Sequence, residues 1–318
     1  MNNQPKSATG PNGALVIGEA LIDIVRPPDG PASEHVGGSP ANVALGLGRL
    51  GRPVRLLTWL GHDVYGDMVN RHLAASGVTV LGGSVSASTT PVAVARLRHD
   101  GSTDYEFDIT FDLPNPATLH TENPLVLHTG SIAAVLEPGA SKVRELVTRL
   151  HHTATICYDP NVRPAIMGNR QRMRPVVDRM LAVADIVKAS DEDLRWLDPG
   201  MPPEVVLRNW ARSGPALSVM TCGGRGAIAY TRHGDRIELP AEQVEVADTI
   251  GAGDAFTAGL LDALWSAGLL GGANRAALGE LDEETTRPIL EHAVRVAAFT
   301  VSRTGAEPPT RAELRQEL

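Results

Sequence analysis

The sequence of 318 residues is poor in several residue types that carry particular chemistries. There are two cysteines, Cys157 and Cys222, three lysines, Lys6, Lys142 and Lys188, and an aromatic content of only 4%. The cysteines stand far apart and in no C-x-x-C spacing, which argues against a disulfide framework or a cysteine zinc site and fits a reducing, cytoplasmic setting. The 29 basic residues against 37 acidic ones give a formal net charge of -8, and no basic run could track a phosphate backbone, so no nucleic-acid partner is expected. Long apolar runs are missing too: the most apolar late stretch, residues 258–273, is interrupted by Asp262 and glycines and falls short of a membrane span. Residues 1–12 are polar, contain Pro5, Gly10 and Pro11, and lack the apolar core of a signal peptide; they read as a flexible tail. A G-x-x-x-x-G-K-[ST] motif is absent, which removes a P-loop mechanism. Gly251-x-Gly253 is no dinucleotide fingerprint, because Phe256 stands where the third glycine belongs.

What is present suffices for one large α/β domain with an excursion. Its most informative stretch is Asp248-Thr249-Ile250-Gly251-Ala252-Gly253-Asp254-Ala255-Phe256-Thr257-Ala258-Gly259. A loop should turn here into a helix at about Gly253. Glycines at 251 and 253 permit backbone conformations and close approaches that a Cβ forbids, leaving N–H groups free to bind an anion at the helix's positive end. Asp254 at that end is either a first-turn helix charge or a base that takes a proton from a hydroxyl attacking a bound phosphoryl group.

Those residues resemble the second signature of the PfkB (ribokinase-like) family of sugar and nucleoside kinases, whose D-T-x-G-A-G-D core is matched at every fixed position. The run His35-Val36-Gly37-Gly38-Ser39-Pro40-Ala41-Asn42-Val43-Ala44, continuing to Leu50-Gly51, is similar to the family's first signature. The G-E-x-L-I-D opening and the G-G-S-P-A-N wording are closest to its fructokinases. The resemblance spans nearly the whole chain. It implies a ribokinase-like α/β fold, a mainly parallel sheet flanked by helices with a small β-sheet lid, and ATP-dependent phosphorylation of a small sugar.

Along the chain, residues 14–25 read as a buried parallel strand running into a more exposed one, with Asp23 either an edge residue facing water or a hydroxyl ligand in a cleft; the resemblance implies the second. Residues 26–35 read as a Pro-, Gly- and Asp-rich loop leaving the main sheet, and a helix follows from about Pro40 to Leu50. Gly37 and Gly38 permit a tight turn; matched to the family signature they, with Asn42, approach the sugar and its hydroxyls. Two strands around Asp100-Gly101, residues 91–98 and 105–108, read as a β-hairpin with no helix between them. The resemblance implies a lid built from such excursions, placed at residues 26–36 and 90–112, with the main domain at residues 13–25, 37–89 and 113–318. Tyr105 and Phe107 on the hairpin suit packing, substrate contact or a homodimer through the lid.

The strand at Thr155–Tyr158 ends in Asp159-Pro160-Asn161-Val162-Arg163, and polar residues at the carboxyl end of a parallel strand are where open α/β sheets bind ligands. Arg163 is either a surface ion-pair partner or a substrate ligand, and the D-P-N-x-R wording resembles both fructokinases and 2-keto-3-deoxysugar kinases. The next strand delivers Ser190-Asp191-Glu192-Asp193 to the same edge, where the family commonly has Asn-x-x-Glu to position magnesium through water. Ser190 and Asp193 either take that place or cap the following helix. Thr221, Gly223 and Gly226 lie in a glycine-rich turn between two strands, which the resemblance sets beside the nucleotide. It also implies that carbonyls near Asp248 and Ile250, with those of residues 303–306, enclose a potassium ion.

The resulting expectation is a sugar kinase using ATP and magnesium, foremost a fructokinase, with Asp254 as general base and the amides of Gly251, Ala252 and Gly253 offsetting phosphoryl charge. Rival readings are a ribokinase, a 2-keto-3-deoxygluconate kinase, a nucleoside kinase, or a sugar-binding regulator without turnover. The last has no need of a base at an anion site.

Overall fold

The computed structural model describes residues 13–100, 102–119 and 123–316. The flexible tail expected at residues 1–12 lies outside them. Among the described residues the main sheet has nine strands, in the order Arg236–Leu239, Ala227–Thr231, Leu217–Thr221, Ile186–Ser190, Thr155–Asp159, Val126–Gly130, Ala14–Ile17, Val54–Leu57 and Val78–Val80. The pairs are parallel from Leu217–Thr221 to Val78–Val80, and the first two strands add an antiparallel edge. Central strands such as Ala14–Ile17 are buried at every position. That is the signature of a sheet covered on both faces, where alternation gives way to continuous apolar runs.

Two apolar cores follow from this. On one face the helices Ser39–Arg49, Ala252–Ser266 and Glu283–Val301 pack over Val16, Cys157 and Val219. On the other, Gly139–Leu150, Arg170–Leu181 and Pro203–Ser213 cover Leu15, Leu127 and Tyr158. Close packing of the first two helices depends on Gly46, since a Cβ there would stand 2.6 Å from that of Ala258. That contact brings the amino ends of the two signature helices to one end of the sheet.

A second sheet has four strands in the order Ser33–Gly37, Leu21–Arg26, Val92–Leu97 and Thr103–Asp108. Its last two strands pair antiparallel, as the hairpin reading expects. One boundary is corrected: Leu21–Arg26 does not continue the main sheet but pairs with Ser33–Gly37 and Val92–Leu97. The chain leaves the main sheet after Ile17, where Gly18 presses on Pro40 and Glu19 turns its side chain inward. The strand beyond has an alternating, half-exposed pattern rather than a continuously buried one. The small sheet is therefore built from residues on both sides of the expected boundary at 26, and Asp23 belongs to it.

Candidate active site

The strands Val126–Gly130, Thr155–Asp159, Ile186–Ser190 and Leu217–Thr221 end along one edge of the main sheet, and the small sheet faces that edge across a single cleft. Asp254 lies at its floor, in the first turn of Ala252–Ser266, and is only 8% exposed. Its Oδ1 accepts from Ser39 Oγ at 2.7 Å and its Oδ2 from Asn42 Nδ2 at 2.9 Å, so the two signatures meet at one carboxyl group. Burial pushes the Asp254 pKa up, and the Lys188 ammonium followed by the two side-chain hydrogen bonds pulls it part of the way back. Asn42, expected as a sugar ligand, thus spends its amide N–H on the candidate base.

Gly251 caps the helix with φ 73, a left-handed conformation that favours glycine. Ala252 N–H leans on Thr249 O at 3.3 Å. Among the described residues the N–H groups of Gly251, Gly253 and Asp254 find no acceptor, so the free donors differ by one residue from the expected Gly251, Ala252 and Gly253. They stand at the positive end of a fifteen-residue helix, a place suited to an anion. Asp248 fixes the loop: Oδ1 accepts from Ile250 N at 3.0 Å and Oδ2 from Gly305 N at 2.9 Å. Burial alone would raise its carboxyl, but these bonds hold it below the usual range.

Where the strand Ser33–Gly37 runs into the helix Ser39–Arg49, Gly37 sits against Asp23 so closely that a Cβ would stand 2.0 Å from Oδ2, and Gly38, at φ 104, passes within 2.5 Å of Glu19 O by the same measure. Gly38 is thus glycine because of its φ and its backbone neighbours, whereas the obstacle at Gly37 is the end of the Asp23 side chain. Asp23 lines the cleft, and burial raises its pKa against the opposing fields of His35 and Arg163. Glu19, which sequence reasoning did not single out, is 2% exposed and accepts from Ala133 N at 3.1 Å. Burial pushes its carboxyl up to about 7. Arg163 also lines the cleft, with Nη1 donating to Val162 O at 3.1 Å.

Ser190 and Asp193 form a complete capping box: Ser190 Oγ accepts from Asp193 N at 3.0 Å, and Asp193 Oδ2 from Ser190 N at 2.8 Å. Asp193 Oδ1 accepts from Val162 N at 2.8 Å. Each carboxylate oxygen thus already holds one backbone donor, so the capping reading is observed, and the second lone pair of each oxygen leaves room for the water-mediated magnesium contact of the expectation. Thr221, Gly223 and Gly226 border the cleft as expected, but the glycines differ. A Cβ at Gly223 would meet nothing within 4 Å, whereas one at Gly226 would stand 2.0 Å from Leu239 O, so Gly226 is glycine because of backbone packing.

Lys188 and Asp159 are the other residues that sequence reasoning passed over. Their buried pair spans 2.8 Å between Nζ and Oδ2. A signal for Lys188 existed: it is one of three lysines and stands inside the apolar run Ile186-Val187-Lys188-Ala189.

The profile of the pfkB family carbohydrate kinases matches residues 12–313. The chain belongs to this family. As an ATP-dependent carbohydrate kinase with the ribokinase-like fold, it is 32% identical over 286 residues to a fructokinase of Rhizobium leguminosarum bv. trifolii, covering 86% of this chain and 85% of the relative. It is 31% identical over 317 residues to a fructokinase of Escherichia coli, covering 95% and 98%. Among solved structures, fructokinase from Xylella fastidiosa with bound ATP superposes with a TM-score of 0.80 at 26% identity, over 95% of this chain and 97% of that one. The kinase thus keeps both signatures at one cleft. Among the described residues no helix is long and apolar enough to cross a membrane, and Cys157 and Cys222 are free thiols in the interior.

Proposed function

We propose that this carbohydrate kinase is a fructokinase, transferring the γ-phosphoryl group of ATP to the 6-hydroxyl of fructose. The observation that carries the reading is Asp254: a buried carboxyl joined to both signatures, beside unengaged amides on one side and an acid-lined sugar cleft on the other. The sugar hydroxyl attacks the γ-phosphorus, its proton passes to Asp254, and the bond to the ADP oxygen breaks. The amides of Gly251 and Gly253 hydrogen-bond the phosphoryl oxygens as charge grows there. Asp23, with Gly37 and Gly38 admitting close approach, holds sugar hydroxyls, and Arg163 contributes from the opposite wall. Thr221, Gly223 and Ser190 border the nucleotide.

Asp23, a half-buried carboxyl at the sugar end of the cleft, suits the hydroxyls of a neutral ketose better than the carboxylate of a 2-keto-3-deoxy acid. The fructokinase relatives support the same choice. Magnesium belongs to the proposal as the companion of ATP; when bound it would offset phosphate charge, held chiefly by the phosphates and water. Asp193, whose two oxygens each hold a backbone donor, would reach the ion through water. A potassium site at the carbonyls of Asp248 and Ile250 is supported by the two hydrogen bonds that fix that loop. A homodimer through the lid is supported by Tyr105 and Phe107, whose exposed rings stack with centroids 5.9 Å apart. We place the enzyme in the cytoplasm, where ATP and reduced cysteines are both found.

The deciding experiment couples ADP release to a panel of fructose, ribose, 2-keto-3-deoxygluconate and a nucleoside. Fructose should give the highest kcat/KM. Preference for the keto acid would reject fructose while leaving the kinase intact, and ADP release that no sugar stimulates would reject the kinase reading itself.

A further inference from the structure

Lys188 is a cation with almost no water around it. It stands on Ile186–Ser190, is 4% exposed, and its Nζ has three N–H donors. Among the described residues one acceptor is found for them, Asp159 Oδ2 at 2.8 Å. A buried donor without a partner is destabilising, so an ammonium with two such donors needs an acceptor from elsewhere. The direction in which it finds one is fixed by Gly253. A Cβ at Gly253 would stand 2.8 Å from Nζ, so only a glycine hydrogen separates the ammonium from the amides at the helix amino end. Lys188 also lines the cleft.

The charges around it run the same way. Burial draws the ammonium's pKa down, but the Asp159 carboxylate, with Asp254 and Asp193 behind it, more than offsets this and keeps Lys188 charged. Asp159 is itself anchored, accepting from Asn161 N at 3.1 Å through Oδ1, so the pair does not drift. An incoming phosphoryl group beside Asp254 and Asp159 would meet negative charge from both; Lys188 is the cation within this buried group.

We propose that Lys188 is a catalytic residue whose ammonium hydrogen-bonds the phosphoryl group in transit through its two spare donors, while Asp159 holds it in place. The inference rests on the kinase reading and deepens it. Lys188 transfers no proton: the hydroxyl proton goes to Asp254, the new O–P bond forms at the sugar, and the old one breaks toward ADP.

The test begins with the parent enzyme, ATP and fructose, since absence of transfer there counts against the kinase reading and not against Lys188. Lys188→Met removes the charge and leaves Asp159 buried alone, which threatens folding, so the matched variant is Lys188→Met with Asp159→Asn. A variant with a cooperative melt, fructose KM near the parent's and kcat lower by about 100-fold or more is the expected result. A folded variant with kcat within a few-fold of the parent overturns the proposal. If neither variant folds, the parent decides: in a crystal structure with ADP, aluminium fluoride and fructose, Nζ should lie about 3 Å from a fluoride. A separation too long for a hydrogen bond overturns it.

Discussion

Asn42 Nδ2 donates to Asp254 Oδ2 over 2.9 Å, although 212 residues separate the two in sequence. One lies in the first turn of Ser39–Arg49 and the other in the first turn of Ala252–Ser266, so two helix amino ends converge on the same carboxyl group. Both donated bonds, from Asn42 and from Ser39, favour the charged form of a group that burial would otherwise neutralise. A base at this place has to be ionised before a hydroxyl arrives, and the pairing orients it for that.

Asp254→Asn keeps the shape and an acceptor for Asn42 but removes the basic oxygen. We expect kcat to fall by about two or more orders of magnitude while ATP and fructose still bind. Steady-state kinetics with binding measured separately by calorimetry checks this. A variant that turns over within a few-fold of the parent would reject the assignment.

Removing Asp23 tests the sugar end alone. A lost buried hydrogen-bond partner costs about 1–3 kcal/mol, so Asp23→Ala should lower kcat/KM for fructose by roughly one to two orders of magnitude. The KM for ATP should hardly move, because Asp23 belongs to the small sheet, whereas Thr221 and Gly223 lie at the edge of the main sheet. Equal losses for both substrates would point to misfolding instead.

Arg163→Ala separates two acceptors. If the arginine serves a neutral sugar, fructose use should weaken modestly and 2-keto-3-deoxygluconate should stay a poor substrate. An enzyme that prefers the acid and loses that preference with the arginine would be a keto-acid kinase.

The fold was legible where local chemistry and the sheet agree. Residues 14–17, 155–158 and 186–190 are apolar runs ending in polar residues, and Asp100-Gly101 marks a hairpin. Leu21–Arg26 was less so, because a strand's partner is set by where the chain turns, and Glu19 gives no propensity signal for that. The helices Arg170–Leu181 and Pro203–Ser213 are harder to read: the first carries Pro175 inside and four arginines, which hide the stripe of Met173, Val177 and Met180. At the site, Asp254 and the glycines were readable from their spacing. Ser39, Asp159 and Lys188 were not assigned roles, since what each does depends on a contact across tens to hundreds of residues.

Glu19 should make stability fall as pH rises. Its folded pKa of about 7 lies above the ordinary 4.5, so between those values the folded state binds the extra proton. Its contribution is fully present below about pH 4.5 and lost as pH rises through about 7, on the order of 3 kcal/mol. Glu19→Gln, permanently neutral, should flatten the fall in melting temperature from pH 5 to pH 8. An unchanged slope would show that the Glu19 carboxyl titrates as it does in the unfolded chain.

Gly251 and Gly253 should fail in different ways when replaced by alanine. At Gly251 the new Cβ meets two penalties: φ 73 is costly for any L side chain, and the Cβ would stand 2.6 Å from that of Ala306. The left-handed conformation alone costs about 1–2 kcal/mol, so Gly251→Ala should melt several degrees lower. Gly253 lies inside the helix, where no positive φ is needed and alanine is the better helix former by roughly 1 kcal/mol. The obstacle there is the end of a flexible side chain, Lys188 Nζ at 2.8 Å, which has to swing aside. Gly253→Ala should therefore melt near the parent temperature while losing turnover, as the added methyl displaces the ammonium and crowds the amides. Thermal melts and kcat on the two variants decide it: if Gly253→Ala unfolds as readily as Gly251→Ala, both glycines serve the fold, and the anion-site reading of Gly253 fails.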